Sequence, residues 1–317
     1  MHSAALPSYV ADLGHGIHAI DTGFQRDDFD AAYLVVHGGR AAFIDTGTNF
    51  AVPRLLAALD ALGLARDAVD WVIPTHVHLD HAGGVGLLMQ QLPAARVLVH
   101  PRGQRHMIDP AQLWQGALAV YGEAEMQRSY GALQPVPAER VLASSDGQQL
   151  SLAGRVLEFA DTPGHAKHHH CIWDAMSRGW FTGDTFGLSY REFDTAAGAW
   201  IIPTSTPVQF EPEALAASVQ RLLARDPAAM YLTHYGRVGD VQRLGGQMLD
   251  LLQRMVLLGQ TERQAPERHE ALKRGLLAIY VDSLAAHGCP FSPARIAELL
   301  AIDIELNAQG MAVWLDR

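Results

Sequence analysis

The stretch Thr75-His76-Val77-His78-Leu79-Asp80-His81-Ala82-Gly83-Gly84 gathers the metal-capable side chains of His76, His78, Asp80 and His81. In an extended segment, side chains two apart project from the same side, so His76 and His78 reach one ion together. Asp80 and His81 come after a turn and point differently, which makes a second ion geometrically natural. Imidazole with carboxylate suits zinc, and also iron or manganese. A lone histidine on such a loop is more often a packing residue. Three histidines with an aspartate at this spacing point to metal.

Flanking elements must hold these residues in place. Trp71-Val72-Ile73, bounded by Pro74, reads as a buried strand that ends abruptly, and Val85 to Leu92 reads as a short helix. The histidines therefore lie on a loop at the carboxyl end of a strand, where open α/β sheets place their sites. Upstream, Tyr9-Val10 and Ile17–Ile20 are strand candidates. Ala32–Val36 and Ala41–Ile44 form a predicted hairpin across His37-Gly38-Gly39-Arg40. The turn Asp45-Thr46-Gly47 follows, then a helix from Pro53 carrying Leu55, Leu56, Leu59 and Leu62 on one side and stopping at Gly63.

Ala95–His100 is the next strand. Residues 102–130 read mostly as helix, rich in large apolar side chains, and serve either as a lid or pocket wall or as an ordinary cover for a sheet. Strands return between 140 and 185, Glu211–Arg225 is helical, and Met230–Thr233 is a strand. That order predicts two packed sheets with helices outside. Residues 239–317 lack strand signals and read as helices punctuated by Pro266, Pro290 and Pro293, with Ala294–Leu306 amphipathic.

Three later positions repeat the opening pattern of a strand followed at once by a metal-capable residue. They are His165 in Asp161-Thr162-Pro163-Gly164-His165, Asp184 after Gly179–Gly183, and His234 after Met230–Thr233. If the strands lie side by side, these ends converge on one rim. Singly each is weak, since an aspartate after glycine is often a turn former.

As an ordered set, His76-Val77-His78-Leu79-Asp80-His81, Thr162-Pro163-Gly164-His165, Thr182-Gly183-Asp184 and Thr233-His234 resemble the metallo-β-lactamase superfamily of binuclear metallohydrolases. Asp45-Thr46-Gly47 matches the turn found upstream of the histidine motif in many members. The resemblance covers about residues 8–237 and is to the glyoxalase-II/lactonase-like branch, without fixing a subfamily.

The resemblance implies an α+β four-layer αββα sandwich with metals at one edge. On it, residues 1–238 form the catalytic domain. Residues 239–317 form a helical C-terminal extension that packs on that domain or makes a homodimer interface. The resemblance also implies that His76, His78 and His165 hold one divalent metal, that Asp80, His81 and His234 hold another, and that Asp184 bridges them. Zinc is the first expectation, with iron or manganese as alternatives. Asp80 is expected to hold or shuttle a proton as well. Asp45 either orients a ligand from the second shell or is a turn or helix N-cap residue.

The chain has 317 residues, 49% of them hydrophobic, which is enough for a large core and an appendage. Its formal net charge of −10 argues against broad phosphate-backbone binding, so no nucleic-acid partner is expected. Lys167 and Lys273 are its only lysines, and arginine carries nearly all of the positive charge. The two cysteines, Cys171 and Cys289, imply no disulfide framework and no thiolate zinc site. Met1–Leu13 has no cationic region followed by an apolar core, and no apolar run approaches membrane-spanning length. A cytoplasmic protein acting on a small-molecule substrate is the expectation.

The expected reaction is hydrolysis of a small ester, thioester or lactone by a hydroxide held between two metals, because a metal lowers the pKa of bound water to about 7. No Gly-x-Ser-x-Gly elbow competes with it. One alternative is a diiron or mononuclear iron redox or oxygen-handling protein on the same fold. Diiron relatives commonly carry glutamate in place of a histidine of the opening motif, and His78 is retained here. A phosphodiesterase or nuclease is the other alternative, disfavoured by charge. A non-catalytic binding module fits least, since no expected ligand is missing.

The residues around the metals say less. After His165 the chain reads Ala166-Lys167-His168-His169-His170. His169 stands where relatives often carry histidine and is a second-shell candidate, whereas His168 stands where many have glycine. Strand-surface or packing roles are expected for His168 and His170. Tyr190 and Arg191 are candidate pocket residues, Arg191 either anchoring a substrate carboxylate or sitting solvated on a loop. Tyr235 either donates to an oxyanion or packs as an aromatic.

Overall fold

The computed structural model describes residues 5–205 and 208–317. Met1–Ala4, at the start of the segment read for a leader, and Thr206 and Pro207, in the 187–209 loop, lie outside the described residues. The described chain forms two compact units. The first contains, among the described residues, 5–161, 168–183 and 229–237. The second contains the described residues of 162–167, 184–228 and 238–317, so the C-terminal helices group with two segments from the middle of the chain.

The first unit is built on two sheets. One runs in sequence order through β1 (Val10–Asp12), β2 (Ile17–Asp21), β3 (Ala31–His37), β4 (Arg40–Ile44), β5 (Val69–Ile73), β6 (Arg96–Val99) and β7 (Val141–Ala143). Its β1–β4 pair antiparallel and β4–β7 parallel. The expected hairpin is present. Gly38 and Gly39 both take positive φ (54° and 76°), as a two-residue loop matched to the strand twist requires.

The second sheet contains β8 (Gln149–Leu152), β9 (Arg155–Asp161), β10 (His170–Asp174), β11 (Gly179–Gly183), β12 (Ala229–Leu232) and β13 (Gly236–Val238), with β13 at one edge and β8 at the other. β9 and β11 are both antiparallel to β10, and β12 is parallel to β11. Therefore β9, β11 and β12 all end on the same edge. His165, Asp184 and His234 each follow one of those ends by four residues or fewer in the chain.

Period-two alternation divides the apolar side chains of the first sheet between its faces. Ala19, Tyr33, Val35, Ala42 and Ile44 turn toward Leu152, Leu157, Phe159, Ile172, Phe181 and Tyr231 of the second sheet. Ile20, Leu34, Phe43, Val72 and Val97 turn the other way. There they meet Leu55 and Leu59 of α1 (Val52–Ala61), the expected leucine face, and Leu88 and Met89 of a helix at Val85–Gln91. Each such buried side chain contributes about 1.5–3 kcal/mol.

A single helical turn at Leu79–Ala82, α2, precedes that helix, which is α3. The 102–130 region is helical in pieces: α4 (Gln104–Ile108), α5 (Ala111–Tyr121), α6 (Glu123–Glu125) and a π-helical turn at Met126–Tyr130. None of the residues of α5 is buried.

One buried ion pair tests the packing of this unit. Arg155 and Asp174 are both fully buried side chains, joined by Nε–Oδ1 at 2.9 Å and Nη2–Oδ2 at 2.6 Å. Burial alone raises the Asp174 pKa, but hydrogen bonds from Arg155 and Ser177 outweigh it and hold the carboxyl below its usual range. A depressed carboxylate stabilises the fold above its unfolded pKa, and that contribution is lost as pH falls through the folded value. Arg155→Met strands the buried carboxylate. We expect a loss of about 3–5 kcal/mol in urea unfolding at neutral pH, and a smaller deficit once acid protonates Asp174.

The second unit contains α7 (Pro212–Leu223), α8 (Val241–Glu262), α9 (Arg268–Ala286), α10 (Pro293–Leu299) and α11 (Ala301–Leu315). Leu244, Met248, Leu251 and Met255 of α8, and Leu272, Leu276, Tyr280 and Leu284 of α9, are buried at helical spacing. Gly275 permits the close approach of these two helices, because a Cβ there would collide with Leu258. The stretch read as amphipathic, Ala294–Leu306, is broken at Leu300, whose backbone (φ −102°, ψ 15°) ends α10 before α11 starts. The apolar pattern runs through the break, so periodicity alone does not reveal it. Among the described residues, no helix is long and apolar enough to cross a membrane.

Candidate metal centre

β5 delivers the histidine loop. Beyond Pro74, Thr75 is held by Asp45, whose Oδ1 accepts from the Thr75 backbone N–H at 2.7 Å and from its hydroxyl at 3.0 Å. His76 and His78 then bring Nε2 and Nδ1 within 2.7 Å of each other, as the two-residue spacing predicts. The turn α2 redirects Asp80 and His81. It is tied down by Thr46, which donates from its N–H and its hydroxyl to the His81 carbonyl at 2.8 and 3.0 Å. Gly84 is needed where the loop passes the Asp45 turn, since a Cβ would sit 2.9 Å from the Thr48 carbonyl oxygen.

Asp80, His81 and His234 form a ligand-like trio within the first unit. One donor atom from each lies within 4.8 Å of the others. Asp80 Oδ2 is 3.4 Å from His234 Nε2 and 3.9 Å from His81 Nε2. Both imidazoles are oriented from behind. His81 Nδ1 faces Asp45 Oδ2 at 2.8 Å, and His234 Nδ1 faces the Phe29 carbonyl at 2.8 Å. An acceptor at Nδ1 keeps the proton there and leaves the Nε2 lone pair for an ion. Asp45 Oδ2 also accepts from Thr233 Oγ1 at 2.7 Å. Asp45 is therefore an orienting residue, and the N-cap of the following 3-10 turn is Thr48.

His168, His169 and His170 are all buried, which favours the packing alternative over the strand-surface one for His168 and His170. His169 stacks on His76 with ring centroids 4.8 Å apart. His168 Nδ1 accepts from the Val77 N–H at 3.4 Å, and its ring lies 5.3 Å from that of His78. His170 ties the second sheet to the loop: its Nε2–H donates to the Pro74 carbonyl at 3.0 Å, while Ser144 Oγ donates to its Nδ1 at 2.8 Å. Burial, aided by the nearby His100, pushes the His170 pKa down to about 3, so it stays neutral. His170 also lines a cavity of about 260 Å³ with His100, Ser144, Asp146 and Asp161.

Asp30 escaped the sequence reading. It is fully buried and receives Thr22 Oγ1 at 2.7 Å. Burial pushes its carboxyl up to about 7, against the opposing pull of His234 and His81. Its only sequence signal was an acidic residue directly before a strand, and turns supply many of those.

In the second unit, His165 stands after Gly164, whose φ of 129° and crowding against Leu215 exclude a side chain. His165 Nε2 lies 3.2 Å from Asp184 Oδ2, and its Nδ1 faces the Thr204 carbonyl at 3.3 Å. Here too, Nε2 is the nitrogen left for a ligand role. Tyr190 is buried and donates to Asp303 Oδ1 on α11 at 3.0 Å. Arg191 engages its own loop, through Nε to the Ser189 carbonyl and Nη1 to Asp194 Oδ2, both at 3.2 Å. Tyr235, in the first unit, packs against the cluster between the sheets.

Residues 26–234 match the profile of the metallo-beta-lactamase superfamily. The chain belongs to that superfamily. A hydroxyacylglutathione hydrolase of Acidiphilium cryptum is 31% identical over 280 residues, spanning 87% of this chain and 85% of that protein. The metallo-beta-lactamase fold-containing protein ST1585 of Sulfurisphaera tokodaii is 25% identical over 228 residues, or 70% of this chain and 79% of that one. A crystal structure described as an archaeal metallo-beta-lactamase superfamily protein, ST1585 from Sulfolobus tokodaii, superposes with a TM-score of 0.67 at 22% identity, covering 94% of this chain and 98% of that chain. The superfamily's two sheets with flanking helices, and the helical C-terminal region, are thus both present. The similar proteins differ in their described activities: a type A flavoprotein of Rhodobacter capsulatus is 29% identical over 196 residues, spanning 58% of this chain and 40% of that protein.

Proposed function

We propose that this superfamily member is a two-metal hydrolase of a small ester, thioester or lactone. The observation that carries the reading is the preset donor set. His81, His234 and His165 each have Nδ1 facing an oxygen acceptor, so each offers Nε2. A set of imidazole nitrogens and carboxylate oxygens fits zinc, iron or manganese. On this reading His76, His78 and His165 hold one ion, Asp80, His81 and His234 hold the other, and Asp184 bridges. Similarity to a hydroxyacylglutathione hydrolase along most of both chains supports the hydrolytic branch.

Two bound divalent ions would supply Lewis acidity and a water acidified to a pKa of about 7. The chain's own residues do the rest. Asp45 and the Phe29 carbonyl keep His81 and His234 in one tautomer. In hydrolysis the water oxygen joins the acyl carbon, the acyl–oxygen or acyl–sulfur bond breaks, and one water proton passes to the leaving group. Asp80, whose side chain is 26% exposed, is placed to hold that proton between the two events. The substrate is a small molecule, and the net charge of −10 disfavours a polynucleotide.

The similarity to a type A flavoprotein keeps an iron redox protein as the second reading. Metal analysis of protein purified without added metal separates them, followed by a panel of lactones, thioesters and phosphodiesters. The hydrolase reading expects two zinc or manganese ions, carbonyl-ester turnover, loss of that turnover on chelation and its return with metal. Two irons with oxygen uptake and no hydrolysis would sink it.

A further inference from the structure

Among the links between the C-terminal helices and the loop behind His165, one runs through a single buried amide. Asn307 of α11 is 1% exposed and uses its whole amide. Its Oδ1 accepts from the Ser205 N–H at 2.6 Å and from Ser205 Oγ at 3.1 Å. Its Nδ2 donates to the Pro203 carbonyl at 3.1 Å and to the Tyr280 hydroxyl of α9 at 2.9 Å. A carboxamide has two donors and two acceptor sites, and all are matched. The amide therefore grips the residues on either side of Thr204. The Thr204 carbonyl is the group that faces His165 Nδ1, at 3.3 Å. That separation is near the long end for a hydrogen bond, so a small shift of the loop would lose it.

We propose that Asn307 is a positioning residue for His165. By clamping Pro203 and Ser205 it fixes the Thr204 carbonyl, which sets the tautomer and ring plane of His165 and so presents Nε2. This rests on the reading of His165 as a metal ligand. It makes the C-terminal helices part of the centre's support and not only an appendage. A partner behind a ligating histidine is typically worth about 10–100-fold in metal affinity.

The alternative is that Asn307 only glues helices to the loop. A comparator exists, because Trp200 Nε1 donates to Ser283 Oγ of α9 at 2.9 Å, a second link from these helices to the same stretch of chain. The full chain is compared with Asn307→Ala, Asn307→Asp, Ser283→Ala and His165→Ala. The readouts are Co(II) titration followed by visible absorption, chelator competition, and ring ¹⁵N shifts of His165 in the metal-free protein.

Asn307→Ala is expected to weaken one metal equivalent about 10–100-fold, alter that equivalent's cobalt spectrum and mix the His165 tautomers. Ser283→Ala should leave all three unchanged. If Asn307→Ala does not fold, Asn307→Asp keeps the shape but cannot donate to Pro203, and is expected to act alike. Unchanged affinity and tautomer in both Asn307 variants, or an equal loss in Ser283→Ala, overturns the proposal. His165→Ala separates the two failures. If it keeps both metal equivalents, His165 is no ligand and the proposal falls with that reading. If it loses one while the Asn307 variants lose none, only the proposal falls.

Discussion

On the proposed hydrolase reading, Asp80→Asn should bind one metal equivalent fewer and turn over a carbonyl-ester substrate at least about 10²-fold more slowly, while folding normally. Asparagine keeps the shape, and the side chain is partly exposed, so the substitution empties no core. It removes the negative charge that lies 3.4 Å from His234 Nε2 and 3.9 Å from His81 Nε2. Two roles are proposed for this carboxylate, and they separate by titration with metal. If Asp80 only ligates, excess metal restores the rate. If it also holds the proton bound for the leaving group, the deficit persists at saturating metal. That deficit shrinks for substrates with acidic leaving groups, which need no proton. Metal content by mass spectrometry and turnover at rising metal concentration measure both. Retention of two ions with turnover within about twofold of the parent, inside the range of an ordinary surface change, would remove Asp80 from the centre.

The reach of the sequence was greatest where a single local rule governs. The spacing of His76 and His78 implied one shared ion, and their nitrogens do meet. The hairpin at Gly38-Gly39 and the leucine face of α1 were legible for the same reason, since turn chemistry and periodicity act over a few residues. What failed to show was burial imposed from afar. For His168 and His170 the sequence leaves a strand-surface and a packing role open. They are interior because the second sheet's edge meets the β5 loop, through the His170 N–H to the Thr75 carbonyl at 2.9 Å.

Asp30 and Phe29 were missed because their link to His234 joins residues about two hundred positions apart. The helix break at Leu300 lies within an unbroken apolar pattern. Tyr190 and Arg191 were plausible by proximity to Asp184 in the chain. The Tyr190 hydroxyl meets Asp303, and the Arg191 guanidinium meets its own loop's oxygens, as the loop alternative for Arg191 has it.

Asp45→Asn should disable the Asp80/His81/His234 trio without removing any of its members. Asp45 has a left-handed backbone (φ 55°), which asparagine adopts more readily than alanine. The native carboxylate accepts on both oxygens: Thr75 N–H on Oδ1, and His81 Nδ1 with Thr233 Oγ1 on Oδ2. An amide has only one oxygen. If it stays with the buried Thr75 N–H, the NH₂ group faces His81. His81 must then accept at Nδ1 and carry its proton on Nε2, the nitrogen needed for the ion.

The expected result is a metal equivalent bound about 10–100-fold more weakly. Stability of the metal-free protein should fall by about 1–3 kcal/mol, for one buried hydrogen bond turned repulsive. Asp45→Ala adds the backbone strain and should lose more. Ring ¹⁵N shifts of His81 distinguish this from general loosening, because a tautomer switch exchanges the two nitrogen environments. Loosening alone would broaden both. Wild-type metal affinity in Asp45→Asn, with His81 still protonated on Nδ1, would show that another group orients the imidazole.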